Sequence, residues 1–127
     1  SKPYGLPIVI GENTASVIPE LATYEIDLIR VKGKNEPARI YALAGDETYA
    51  QSDDFKSFRA LNRTMLSAYR TQDWESAFEA LELMEPLGEK LGITVEDYLF
   101  IYETRIADFR ANPPGKSWDG VYTATSK

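Results

Sequence analysis

Residues 28–43 hold two runs of alternating apolar and polar side chains separated by a short charged turn, a pattern that suits extended backbone and not a helix. Ile29 and Val31 alternate with Arg30 on the first run. Ile40 and Ala42 alternate with Arg39 and Tyr41 on the second. Gly33 and Pro37 punctuate the turn between them, so the pattern predicts a β-hairpin. Lys32 and Lys34 stand two residues apart; on extended backbone they project to the same side and can meet one polyanionic ligand.

The surrounding sequence extends this hairpin into an α+β chain. Residues 7–10 form a short apolar strand, and Glu12, Asn13 and Thr14 start a helix that Pro19 cuts short. With strands at 24–31 and 38–43, residues 1–45 read as a β-α-β-β unit. Residues 46–53 carry no periodicity and are expected to be a linker. The remainder, 54–127, reads as a helical extension. Phe55, Phe58, Asn62, Met65 and Tyr69 recur at three- and four-residue steps, the spacing of one helix face. Asp73 is placed to cap a second helix bearing Trp74, Ala77, Phe78, Leu81 and Met84, which Pro86, Gly88 and Gly92 are expected to break. Thr94 and Asp97 resemble a capping box for a third helix, with Val95, Tyr98, Leu99, Tyr102, Ile106 and Phe109 inward, ended by Asn112-Pro113-Pro114-Gly115.

The tight connection at residues 70–73 makes the first two of these helices antiparallel neighbours, a weakly tetratricopeptide-like helical hairpin within a mini-bundle. No 34-residue self-similarity accompanies it. Trp118, Val121 and Tyr122 carry too much apolar area for a free tail and are expected to dock back. The sheet unit alone leaves an open strand edge and Ile8, Ile10, Ile29, Val31 and Ile40 uncovered, which predicts strand-mediated self-association.

Composition narrows the chemistry. The 127 residues contain no cysteine and no histidine, which excludes disulfides, thiol nucleophiles, the usual zinc sites and imidazole acid–base catalysis. A net charge of -6 argues against nucleic acid or an anionic membrane surface as the main partner. The longest apolar run falls far short of the ~20 residues of a membrane span, and the start of the sequence lacks the apolar centre of a signal peptide. A cytoplasmic location is the expectation for this segment.

Val31-Lys32-Gly33-Lys34 within its hairpin resembles the last hairpin of the class III nucleotidyl cyclase catalytic domain. Further matches surround it: residues 4–14 resemble the strand and helix start before that hairpin, and Tyr24-Glu25-Ile26-Asp27 its entry. Residues 68–77, Asn112-Pro113-Pro114 and Trp118-Asp119-Gly120-Val121-Tyr122 resemble the C-terminal extension of a subgroup of bacterial adenylate cyclases. The resemblance implies the end of a cyclase catalytic domain at 1–45, followed by the helical extension. It implies that the parent enzyme converts ATP to cyclic AMP and pyrophosphate as a homodimer, with magnesium or manganese. It also implies that Lys32 contacts the substrate triphosphate; Lys34 is a second, unassigned candidate. The family's metal-binding aspartates and its Asn-x-x-x-Arg motif have no match here. The chain by itself is therefore expected to hold no catalytic residue, to bind no cofactor and to be inactive, and the parent's membrane anchorage is left open. The alternative reading is a non-catalytic helical module that binds a protein partner or regulates an attached domain.

Other candidate features read more simply as structure. Glu79, Glu82, Glu85 and Glu89 are spaced as a solvated helix face more than as a metal site. Asp53 and Asp54 suit the start of a helix, and Trp74 and Trp118 suit core anchors.

Overall fold

The structure, a computed structural model, describes residues 3–31 and 33–123. It is an α+β fold. Its elements in chain order are β1 (Val9–Gly11), α1 (Glu12–Ser16), β2 (Ala22–Arg30), β3 (Ala38–Gly45), α2 (Glu47–Gln51), α3 (Asp53–Arg70), α4 (Trp74–Leu91), α5 (Glu96–Ala111) and β4 (Tyr122–Thr123). The four strands form one mixed sheet in the order β1-β3-β2-β4. β3 lies antiparallel to both β1 and β2, and β4 joins β2 in parallel through Ile29 and Arg30 alone. Among the described residues, the first half of β2 is thus left without a strand neighbour on that side.

A bulge in β2 decides which side chains enter the core. Glu25 pairs with Tyr41 and Asp27 with Ile40, so Ile26 is an extra residue opposite a single step of β3. Strict alternation would turn Asp27 away from Tyr24 and Ile26; with the bulge all three are buried.

The helices cover this face of the sheet. Phe55, Phe58, Met65 and Tyr69 of α3, Leu81 and Met84 of α4, and Tyr98, Tyr102 and Ile106 of α5 share one continuous core with Tyr24, Ile26 and Ala42 of the sheet. Tyr24 sits edge-on to Phe58, with ring centroids 5.1 Å apart, and Tyr69 edge-on to Tyr102 at 4.9 Å. The helices thus cover the face that carries Tyr24, Ile26 and Ala42, while Ile10 and Ile29, two of the residues expected to lie open, stay partly exposed. Ile40 packs against this core, while Ile8 and Val31 remain exposed at 47% and 43%.

Several local expectations are corrected. Residues 46–53, read as an aperiodic linker, carry α2: the Asp46 carboxylate accepts from the Tyr49 N–H and nucleates a turn. The Ser52 hydroxyl then caps α3 by accepting from Phe55 N–H, with Asp53 and Asp54 in its first turn. α4 does not stop at Pro86. A helical proline forfeits one backbone hydrogen bond, but core contacts on both sides of it, from Leu81 and Met84 to Leu87 and Leu91, keep the helix continuous as far as Gly92, which turns left-handed at φ 78°. Gly88 is what allows the close approach of the following chain, because a Cβ there would lie 2.7 Å from Val95 Cγ2. Thr94 forms no capping box; its hydroxyl donates instead to the Gly5 carbonyl at 3.2 Å, and α5 begins after Val95 without a side-chain cap.

The last described residues pack on the helices. Trp118 joins Tyr69, Trp74 and Phe109 in an aromatic cluster with centroid separations of 5.0–6.3 Å. Its indole N–H donates to the Val121 carbonyl at 2.9 Å, which sets up β4.

Candidate functional site

The β2–β3 turn is a solvent-facing projection. Residues 33–38 are all exposed, and Gly33 adopts φ 89°, a conformation that costs glycine little and other residues much. Lys34 N–H closes the turn on the Val31 carbonyl at 3.1 Å, and Arg30 Nε donates to the Asn35 carbonyl at 3.0 Å. The Lys34 side chain is exposed on this turn. Lys32, the principal sequence candidate, lies outside the described residues.

Two ion-pair clusters hold the strands that carry the turn. The first centres on Asp27, whose carboxylate is 1% exposed. Arg105 of α5 grips it with both terminal nitrogens, at 2.9 and 2.7 Å. Tyr4 OH donates at 2.7 Å and Leu28 N–H at 2.9 Å, while Tyr102 OH, 2.6 Å from the Ile26 carbonyl, lies 3.2 Å from the same carboxylate. Burial disfavours the Arg105 cation, but hydrogen bonding to Asp27 and its negative charge more than offset this and raise the Arg105 pKa on balance. Burial first, and then the Asp27 charge, push the Tyr4 hydroxyl up, keeping it a protonated donor. Above the guanidinium lies the Tyr122 ring, 3.7 Å from Arg105 Cζ to its centroid. With both carboxylate oxygens occupied, Asp27 is a fastener joining the N-terminal segment, β2, α5 and β4; it has no free lone pair directed at a substrate.

The second cluster centres on Glu25 of β2 and ties β3 to the end of α3. Glu25 Oε2 accepts from Arg39 Nη1 and from Arg70 Nη2, each at 2.7 Å. Asn62 Nδ2 donates to the Glu25 carbonyl at 2.7 Å, satisfying a group on the edge that no described strand covers, and Tyr98 OH donates to Asn62 Oδ1 at 2.6 Å. Between this edge and α3 runs a crevice of about 580 Å³, walled by Thr23, Glu25 and Tyr41 on the sheet side and by Arg59, Asn62, Arg63 and Arg70 on the helix side. Arg59 lies over the Phe55 ring at 4.8 Å. Burial, and next the charge of Arg63, lower the pKa of Arg59. Among the described residues, neither Arg59 nor Arg63 forms an ion pair.

Reading α3 by its apolar stripe alone missed this second face. Arg59, Arg63 and Arg70 are four and seven residues apart, a spacing that returns to one side of a helix. That signal was present in the sequence; what could not be read there is that the open edge of β2 lies opposite. Among the described residues, no group of three carboxylates is placed to hold a metal ion, the α4 glutamates included, and no helix is long and apolar enough to cross a membrane. No protein-family model, curated protein or solved structure matches this chain.

Proposed function

We propose that this chain is the C-terminal segment of a class III adenylate cyclase, in which the β2–β3 hairpin presents Lys32 to the triphosphate of ATP and the helices brace that hairpin. The observation that supports this reading is the sequence Val31-Lys32-Gly33-Lys34 in the connection between two strands fixed by Asp27–Arg105 and Glu25–Arg70, where Val31, Gly33 and Lys34 are exposed. A lysine contributes a compact positive charge, suited to a pyrophosphate group that gains negative charge as it leaves. In the parent enzyme the ribose 3′ oxygen attacks the α-phosphorus and pyrophosphate departs. Magnesium or manganese, held by aspartates outside this chain, favours deprotonation of that hydroxyl and neutralises phosphate charge. What this chain adds is position: two ion-pair clusters limit movement of the lysine-bearing turn relative to α3 and α5.

The second reading, a helical module that binds a protein partner, draws on Leu83 of α4 and Phe100 of α5, which are 58% and 65% exposed. Cyclic AMP formation separates the two. The parent enzyme is expected to convert ATP to cyclic AMP with manganese present, and the 127-residue chain alone to show no turnover above a heat-killed control. A parent protein without cyclase activity would favour the interaction module, and activity in the isolated chain would overturn the assignment of catalysis to residues outside it.

A further inference from the structure

We propose that the crevice between α3 and the open edge of β2 binds a phosphate-bearing small molecule of about nucleotide size. This inference does not depend on the cyclase reading, since none of its residues belongs to the lysine-bearing turn.

Charge is the first support. The chain carries a net charge of -6, yet Arg59 and Arg63 stand together on one wall with no carboxylate partner among the described residues. Glu25, which lines the same crevice, is ion-paired with neither; its Oε2 accepts from Arg39 and Arg70. Two adjacent cations without a counter-charge repel one another, and a dianion between them removes that repulsion. A single carboxylate would balance only one of them.

Hydrogen bonding is the second. The Nε groups of Arg59 and Arg70 are both buried and have no hydrogen-bond partner among the described residues. Buried polar donors are nearly always satisfied in native structures, so two such donors on residues lining one crevice leave room for an oxygen supplied from outside, by water or by a ligand. Guanidinium groups pair with phosphate oxygens through parallel N–H donors, a geometry that a lysine cannot reproduce.

Size is the third. The crevice, about 580 Å³, falls within the roughly 300–1,000 Å³ of small-molecule sites and exceeds what a bare phosphate needs. Half-buried Tyr41 and the hydroxyl-bearing Thr23 and Ser67 also line the crevice, residue types suited to the rest of such a ligand.

Calorimetric titration of the 127-residue chain with AMP, with pyrophosphate and with glutarate tests the proposal. Saturable binding of AMP or pyrophosphate is expected, weakening as salt is raised, with glutarate at least about tenfold weaker. Arg59→Gln/Arg63→Gln is expected to weaken phosphate binding by about tenfold or more. Arg63→Glu, which alters an exposed side chain, is expected to weaken it too while leaving the urea midpoint unchanged. Absence of saturable binding by both phosphate probes at about 10 mM, a range that already includes affinities worth only ~3 kcal/mol, would overturn the proposal. Equal affinity for glutarate, or undiminished binding in a folded Arg63→Glu protein, would overturn it as well.

Discussion

Replacing Arg105 by methionine should be among the most damaging single changes outside the apolar core. The substitution keeps much of the side chain's bulk but leaves the Asp27 carboxylate, 1% exposed, without its cation. Tyr4 and the Leu28 N–H would still donate to it, yet neither neutralises a buried charge. Breaking a buried pair in this way typically costs about 3–5 kcal/mol. With a urea dependence of about 2 kcal/mol per M, this lowers the unfolding midpoint by about 2 M. A domain whose total stability is about 5–15 kcal/mol would be left marginal. Arg110→Met, an exposed change one turn further along α5, should cost well under about 1 kcal/mol and serves as the control. The double variant Asp27→Leu/Arg105→Met should lose less than the sum of its two singles, because no charge is stranded. Urea unfolding followed by circular dichroism measures all four. If Arg105→Met cost no more than Arg110→Met, Asp27 and Arg105 would not be the fastener described above.

Two further outcomes follow from the same geometry. Asn62→Leu removes the donor to the Glu25 carbonyl and the acceptor of Tyr98 OH; urea unfolding should show a loss of about 1–3 kcal/mol even though an apolar side chain enters the core. Glu103 has its pKa raised, first by burial and then by the charges of Glu85 and Glu82. A raised carboxyl pKa means that folding favours the protonated form, so its contribution is full below the unfolded pKa and is lost as pH rises through the folded value. Glu103→Gln should therefore raise the melting temperature at pH about 7 and leave it unchanged at pH about 3, where both states are protonated; an equal effect at both would exclude this electrostatic origin.

The α+β class and the helical stripes were legible because they are periodic. Phe55, Phe58, Asn62, Met65 and Tyr69 follow the turn of α3, and all are buried. Asp73 caps α4 through the Ser76 N–H, a local interaction that sequence can signal. What could not be read depended on contacts between distant segments. Asp27 enters the core only because a bulge at Ile26 shifts the alternation of β2, and its partner Arg105 is 78 residues away. Pro86 marks a break by local rules, and packing on either side overrides it. The two short capping interactions of Asp46 and Ser52 span too few residues to show a period, so α2 was read as a linker. The arginine face of α3 was visible as a spacing, but its significance comes from the β2 edge beside it.

Kinetics of Lys32→Ala in the proposed parent cyclase test the central claim most directly, with Lys34→Ala as the neighbouring control. Loss of one charge-assisted contact to the triphosphate should lower kcat/KM for ATP by about ten- to a hundredfold, corresponding to roughly 1.5–3 kcal/mol, with a smaller effect from Lys34→Ala. Near wild-type cyclic AMP production by the folded Lys32→Ala enzyme would contradict the assignment of this hairpin to triphosphate binding.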